Sequence, residues 1–150
     1  MNSPTLELLQ QTLRREMPIT DAMGIDVVSW ENACLTMRMP LEPNRNHQYS
    51  AFAGSLNALC TIVGWGTIFM LLQRESLGGN IVIRRGKIRY VRPVRTPEFL
   101  ASGLSIDPTE QDYFFELLRS KGKSKLDIGV EISDELGPYV NFQGSYVVQG

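Results

Sequence analysis

The sequence predicts an α+β fold in which a curled antiparallel sheet wraps around one long helix. Three observations predict this fold. Residues 46–73 contain no Asp, Glu, Lys or Arg, which is typical of a helix that is buried on most sides. Segments on both sides of this stretch alternate apolar and polar residues, as half-buried strands do. With 150 residues, 43% of them hydrophobic, we expect a single globular domain spanning residues 1–150.

The first predicted elements are a helix and a β-hairpin. Ser3 as N-cap and Pro4 at the first helical position indicate a helix that runs to about residue 17. Its buried stripe is expected at Leu6, Leu9 and Leu13. Residues 18–24 form a connection. Residues 25–30 and 34–39 then follow as two strands around the turn Glu31-Asn32-Ala33.

A loop rich in turn formers and amides, residues 40–50, leads into the long central helix at about residues 52–75. The pair Gly78-Gly79 ends this helix. Four or five strands come next, predicted over residues 80–92, 99–106, 113–120, 125–133 and 139–148. The first of them is expected to bend or bulge at Gly86, and residues 121–124 are predicted to be a turn. The element order is therefore α-β-β-α followed by strands alone.

Composition excludes several classes of protein. The net charge is −1, which argues against a nucleic-acid binder. His47 is the only histidine, and Cys34 and Cys60 lie in apolar stretches. We therefore expect buried, reduced thiols and neither a metal site nor a Cys–His nucleophile pair.

Two features of the sequence bear on its location. The N-terminal residues lack the pattern of a secretory leader, so we expect a cytoplasmic protein. Residues 51–72 are long enough to cross a bilayer, but Gly, Ser, Asn and Thr interrupt them. We expect them to form a core helix and expect no membrane partner.

The segment from Asn46 to Leu56 carries the candidate chemistry. It is an amide-bearing loop that feeds the N-terminus of the central helix, where the first backbone N–H groups lack intrahelical partners. Such donors would stabilise a carbonyl oxygen that gains negative charge during acyl transfer, and Gly54 would let a ligand approach the backbone. The alternative is that Gly54 packs under the sheet and Asn46 caps the loop.

Two further groups of residues are candidates. Gly54, Asn57, Thr61 and Gly64 share one face of the central helix, which is either the wall of a cleft or a packing face for the sheet or a partner subunit. A basic run contains no acidic residue and comprises Arg84, Arg85, Lys87, Arg89, Arg92 and Arg95. Arginine suits the recognition of phosphate, although a solvated strand face that discourages edge pairing would look the same.

The order of elements, the loop-to-helix segment and the phrase Ile88-Arg89-Tyr90-Val91-Arg92-Pro93-Val94 resemble the hotdog-fold thioesterase superfamily. More narrowly, residues 43–46 and 52–56 resemble the thioesterases related to the YiiD C-terminal domain. The resemblance extends from about residue 18 to residue 148. It implies a hotdog fold, with a homodimer or a homotetramer whose active site lies between subunits.

The resemblance also implies hydrolysis of the thioester of an acyl-CoA or an acyl carrier protein, with coenzyme A entering only as part of the substrate and no separate cofactor. Related hotdog enzymes carry an Asn in the loop, His-Gly-Gly at the helix start and an Asp or Glu about two turns later. Asn46 and Gly54 match this pattern, whereas Thr61 stands in place of the carboxylate.

From this pattern we expect Asn46, Gly54 and Thr61 to be catalytic, with His47 as the substitute base, because a histidine titrates near neutrality. Arg84, Arg85 and Arg89 are the candidates to bind the phosphates of coenzyme A or the acidic surface of a carrier protein. The missing carboxylate leaves two alternatives open, a non-catalytic acyl-CoA-binding or regulatory module and a hydroxyacyl-thioester dehydratase.

Overall fold

The computed structural model describes residues 3–150, with side chains from residue 5 onward, so the predicted cap by the Ser3 side chain lies outside the described part. The helices and strands, in chain order, are α1 (Ser3–Glu16), α2 (Ile19–Met23), β1 (Asp26–Glu31), β2 (Cys34–Pro40), α3 (Ala53–Arg74), β3 (Asn80–Tyr90), β4 (Glu98–Gly103), α4 (Pro108–Lys121), β5 (Lys123–Asp134) and β6 (Gly137–Gln149). A short 3-10 turn, Glu42–Asn44, lies between β2 and α3.

The six strands form one antiparallel sheet in the order β1-β2-β4-β5-β6-β3. Strands β2, β5 and β6 bury every second side chain, because successive residues of a strand point to opposite faces. The inward side chains, all buried, are Leu35, Met37, Met39, Leu126, Ile128, Val130, Ile132, Val140, Phe142, Tyr146 and Val148. The period-two prediction is confirmed in these strands.

Helix α3 packs against the inner face of the sheet, which is the predicted hotdog arrangement. By length and composition alone it could cross a bilayer, with a mean hydropathy of 1.7, yet 67% of that window is buried inside the protein. Burial on most sides explains why the helix carries no charge before Arg74, since an unpaired buried charge is costly. Helix α1 packs beside it through Leu9 and Leu13, which are fully buried.

Two glycines set how closely α3 approaches the sheet. A Cβ atom added to Gly64 would lie 2.0 Å from the Tyr146 Oη atom, and one added to Gly66 would lie 2.6 Å from a Leu35 methyl carbon. The Tyr146 hydroxyl crosses this gap and donates a hydrogen bond of 2.8 Å to the Thr61 carbonyl oxygen. Burial raises the pKa of Tyr146, so its hydroxyl stays protonated as the donor.

The predicted strand over residues 113–120 is wrong, because these residues lie in helix α4. Asp107 caps its start by accepting a hydrogen bond of 2.8 Å from the Thr109 backbone N–H, and Pro108 occupies the first turn. Gly122, with a φ of 74°, ends the helix in the left-handed conformation. The predicted turn over residues 121–124 is therefore the end of α4 followed by the first two residues of β5, and β4 ends at Gly103, three residues before the predicted strand end at 106.

Smaller differences concern the connections. The predicted connection over residues 18–24 contains helix α2, which ends at Gly24 with a φ of 74°. The bulge in β3 lies between Ile83 and Arg85, whereas Gly86 pairs regularly with Gly144. Both cysteines are free, but Cys34 is only half-buried. Burial raises the pKa of the Cys60 thiol to about 12, which makes it a poor nucleophile.

Arg92 holds the β5–β6 turn against the end of β3. Its guanidinium donates to both carboxylate oxygens of Asp134 and to the Gly137 carbonyl oxygen, and it stacks 3.8 Å from the centre of the Tyr139 ring. Tyr139 donates a further hydrogen bond of 2.8 Å to Asp134. These donors, Arg92 first and Tyr139 second, lower the pKa of Asp134 to about 2. This arginine is therefore structural and does not belong to the exposed basic run.

The Arg92–Asp134 contact should make stability depend on pH in the acid range. Because the folded-state pKa of Asp134 is below the ordinary value of 3.8, its stabilisation is complete above that value and is lost as the pH falls toward about 2. The advantage of the wild type over Asp134→Asn in unfolding free energy should be constant near neutrality and shrink below about pH 4. Urea unfolding at several pH values measures it, with Asp112→Asn as an exposed control, and an advantage that does not shrink in acid contradicts this account.

Candidate functional site

The loop before α3 is organised by the side chain of Asn46. Its Oδ1 atom accepts hydrogen bonds from the backbone N–H groups of Gln48 and Ser50, at 2.8 and 3.2 Å, and its Nδ2 atom donates to the Ser50 hydroxyl at 3.0 Å. Side chains of this kind stabilise tight turns by mimicking the backbone. Tyr49 has a φ of 60° within this turn. The structure therefore shows Asn46 as the cap of the loop, half-buried at its base.

Asn44 connects the same loop to α2 and β2 through hydrogen bonds, a role that the sequence did not predict. Its side chain is buried, and its Nδ2 atom donates to the carbonyl oxygens of Met23 and Pro40, both at 2.8 Å. Its own carbonyl oxygen accepts a hydrogen bond of 2.7 Å from the Phe52 N–H group. Asn44 thus joins the end of α2, the end of β2 and the start of α3.

The N-terminus of α3 offers two backbone donors. Phe52 is the N-cap residue in an extended conformation, and its side chain makes no capping hydrogen bond. The N–H groups of Ser55 and Leu56 donate back to the Phe52 carbonyl oxygen, which leaves those of Ala53 and Gly54 without an intrahelical acceptor. Gly54 is exposed and does not pack under the sheet. The three atoms nearest to where its Cβ atom would lie all belong to the Phe52 ring, the closest of them at 2.5 Å.

A groove of about 380 Å³ runs between α2 and α3 and begins at Gly54. We call it the α2–α3 groove. Its walls are mostly apolar and are lined by Met17, Ile19, Thr20, Met23, Gly54, Asn57, Ala58, Thr61 and Ile62. Thr61 donates a hydrogen bond of 3.2 Å from its hydroxyl to the Oδ1 atom of Asn57. The groove therefore combines an apolar channel, one polar pair and the first turn of a helix.

Three of the four residues predicted to share a helix face lie along this groove, namely Gly54, Asn57 and Thr61. Gly64, the fourth, faces Tyr146 and serves the packing of α3 on the sheet.

Asn46 lines a different depression, of about 310 Å³, together with Ala53, Leu56 and Tyr90. The Tyr90 hydroxyl donates 3.2 Å to the Ala53 carbonyl oxygen at its edge. His47 is exposed and lines neither the groove nor this depression.

The basic residues of β3 lie on the outer face of the sheet. Cross-strand partners share a face, and the pairs are Arg85 with Ser145, Lys87 with Gln143 and Arg89 with Asn141. Arg84 occupies the bulge and lines a shallow depression with Arg85, while Arg89 lines another beside Lys87. Within residues 3–150, no group of three or more His, Cys, Asp and Glu side chains is placed to hold a metal ion.

Comparison with known proteins finds a matching family and similar solved structures. Residues 6–150 match the family described as "Putative thioesterase (yiiD_Cterm)". The structure is similar to that of a protein of unknown function from Chlorobaculum tepidum TLS, which is 29% identical, with a TM-score of 0.90 over 96% of this chain and 93% of that one. It is also similar to a "putative thioesterase" from Shewanella oneidensis, 28% identical, with a TM-score of 0.89 over 99% of this chain and 100% of that one.

A more distant structure has the same fold. It is a "Probable Thioesterase" from Pseudomonas aeruginosa, 19% identical, with a TM-score of 0.76 over 95% of this chain and 94% of that one.

Proposed function

The chain belongs to the thioesterase family related to the YiiD C-terminal domain, and from this premise we propose that it hydrolyses the thioester of an acyl-CoA or an acyl carrier protein. One observation carries the proposal. The α2–α3 groove brings an apolar channel to the uncapped N-terminus of α3, with Gly54 and Thr61 in its wall. Such a groove accepts an acyl chain and offers donors to the carbonyl oxygen at its head.

In this proposal the acyl chain lies along Met17, Met23 and Ile62, and the thioester carbonyl lies at Gly54. The free N–H groups of the first turn donate to the carbonyl oxygen, and the partial positive charge of the helix end favours the negative charge that develops there. The Phe52 ring lies 2.5 Å from where a Cβ atom of Gly54 would be, so the carbonyl oxygen approaches from the N–H side of the backbone. Thr61, further along the groove, accepts a hydrogen bond from the attacking water.

The loop residues have separate roles in this proposal. Asn46 stabilises the turn that precedes α3, and this turn leaves the first backbone N–H groups of the helix accessible. His47 is exposed on this loop and lines neither the groove nor the Asn46 depression, so as the proposed substitute base it acts on the attacking water through intervening solvent.

The leaving group is proposed to lie along the basic side of the sheet. Arg84, Arg85 and Arg89 are exposed on the outer strand, and their guanidinium groups suit the phosphates of coenzyme A or of a phosphopantetheine arm. What supports this assignment is their charge and exposure. Salt should weaken such binding, since exposed charges are screened.

A second copy of the chain is proposed as a partner. Strand β3 lies at the edge of the sheet, and Val82 and Ile83 on it are 49% and 37% exposed. An exposed edge of this kind favours pairing with another strand, which supports a homodimer or a homotetramer of two such dimers. Light scattering coupled to size-exclusion chromatography measures the assembly.

Release of free thiol from a panel of acyl-CoA esters tests the proposed activity. We expect turnover by the wild type and a loss of about 10- to 100-fold in kcat for Thr61→Val, the scale at which a group that positions a reactant acts. Thr67→Val is the matched control, since Thr67 lies on the same helix but is buried and bonds to the Val63 carbonyl oxygen. Binding of coenzyme A without turnover would favour the non-catalytic module, and turnover unaffected by Thr61→Val would overturn the assignment of the site.

A further inference from the structure

Thr61 uses its hydroxyl differently from Thr67 on the same helix. Thr67 donates a hydrogen bond of 2.8 Å to the carbonyl oxygen four residues earlier, at Val63, which is the usual bond for a threonine inside a helix. Thr61 instead donates to the side chain four residues earlier, the Oδ1 atom of Asn57, at 3.2 Å. The Thr61 hydroxyl therefore lies at the groove wall, with its lone pairs free to accept a hydrogen bond.

The same contact occupies only the Oδ1 atom of Asn57 and leaves its Nδ2 donor free for another partner. Its Oδ1 atom accepts from Thr61, while its Nδ2 atom meets no acceptor within the part of the chain that the structure describes. The residue is half-buried and lines the α2–α3 groove among Met23, Ala58 and Ile62. Because Asn57 is only half-buried and its Nδ2 atom is not enclosed, water accepts this hydrogen bond in the free protein, and a carbonyl oxygen of a ligand in the groove can replace that water.

The position of Asn57 on the helix defines what that acceptor can be. Gly54 lies three residues before it and Thr61 four residues after it, so the three residues are neighbours on one helix face. A carbonyl oxygen held at the N–H group of Gly54 therefore lies within one turn of Asn57. The Thr61 hydroxyl lies 3.2 Å from the Asn57 Oδ1 atom, so a water held on that side of Thr61 lies beside the same amide group that donates to the carbonyl oxygen.

We infer that Asn57 is a catalytic residue of the thioester hydrolysis proposed above, on which this inference rests. Its Nδ2 atom donates to the thioester carbonyl oxygen, while its Oδ1 atom holds the Thr61 hydroxyl so that the Thr61 oxygen accepts a hydrogen bond from water. The water oxygen then forms a bond to the carbonyl carbon, and the carbonyl oxygen takes up the negative charge. The proton that the attacking water loses passes to solvent water in the open groove. When this intermediate collapses the C–S bond breaks, and the thiolate sulfur takes up a proton from solvent.

The variant Asn57→Asp separates this role from packing, because the two side chains have nearly the same shape. A carboxylate still accepts from Thr61, but it offers no donor and repels the developing negative charge. We expect kcat at neutral pH to fall about 10- to 1000-fold, the range for loss of one such donor. Activity relative to the wild type should rise in acid, because a protonated carboxyl group regains an O–H donor. A packing role would not produce this inverted pH dependence.

A double-mutant cycle with Thr61→Val tests whether the two residues act together. Asn57→Ala and Thr61→Val should each lower kcat with KM changed little, and the double variant should lose no more than the worse single variant, because residues that act as a unit are not additive. Thr67→Val should leave kcat unchanged, and thermal unfolding should show that all variants are folded.

The outcomes separate the two hypotheses. A wild type that turns over acyl-CoA, together with an Asn57→Asp variant of equal kcat or with fully additive losses, overturns the role of Asn57 alone. A wild type without turnover on any acyl-CoA or acyl-carrier-protein thioester overturns both.

Discussion

Replacing Gly64 with alanine is expected to lower the unfolding free energy by about 3 kcal/mol, at the upper end of the cost of overpacking a core. A Cβ atom there would lie 2.0 Å from the Tyr146 Oη atom and 2.4 Å from its Cζ atom. Tyr146 cannot move aside, because it is fully buried and its hydroxyl is bonded to the Thr61 carbonyl oxygen. Urea unfolding measures the loss, and the melting temperature should fall by roughly 6–12 °C.

Two further variants test whether the clash with Tyr146 causes this loss of stability. Gly78→Ala is the matched control, since a Cβ atom there would have nothing within 4 Å, and it should leave stability unchanged or raise it slightly. Tyr146→Phe removes the nearest of the clashing atoms and the hydrogen bond that holds the ring in place, although the Cζ atom at 2.4 Å remains. Its combination with Gly64→Ala should therefore cost less than the sum of the two single changes. A Gly64→Ala variant as stable as the wild type would show that α3 can shift away from the sheet.

Asn44→Ala is expected to cost about 2 kcal/mol of unfolding free energy, because two hydrogen bonds from a buried side chain are lost and their acceptors stay unpaired. Those acceptors are the carbonyl oxygens of Met23 and Pro40. Loss of the bond to Met23 also frees the end of α2, which forms one wall of the groove. We therefore expect KM for acyl-CoA to rise as well. Urea unfolding and steady-state thiol release measure the two effects.

The control for this prediction is Asn141→Ala, because Asn141 is exposed on the outer face of the sheet. Its effect on stability should stay within about 0.5 kcal/mol, as for most surface changes. Equal losses of unfolding free energy in Asn44→Ala and Asn141→Ala would mean that the hydrogen bonds of the Asn44 side chain do not stabilise the end of α2.

The fold was predictable wherever a periodic pattern decided it. The uncharged stretch predicted α3 to within a residue of each end, and alternation predicted the inner faces of β2, β5 and β6. Helix α4 is not predicted, because residues 113–120 are assigned to a strand, although the preceding Asp107-Pro108 is also a pattern that begins a helix. Phe114, Phe115 and Leu118 are buried in α4, and their spacing is that of a helix face.

The candidate site was predictable only in part. Helical periodicity placed Gly54, Asn57 and Thr61 on one face, and the structure shows them along one groove. Periodicity could not show that Gly64 meets Tyr146, since that contact depends on how the helix is rotated against the sheet. The role of Asn44 was also out of reach, because its acceptors lie 21 and 4 residues away and only tertiary structure brings them together.

The order of elements along the chain has a consequence for synthesis. Helix α3 leaves the ribosome before four of the six strands, β3 to β6, and 75 residues after Arg74 must be added to reach Gln149 at the end of β6. At roughly 5–20 residues per second this is roughly 4 to 15 seconds. Throughout that interval a 22-residue helix whose one charged residue is Arg74 has only α1 and the β1–β2 hairpin to pack against and lacks most of the sheet. The yield of folded protein should therefore depend on chaperones that shield nascent apolar segments and on how quickly translation supplies the last two strands.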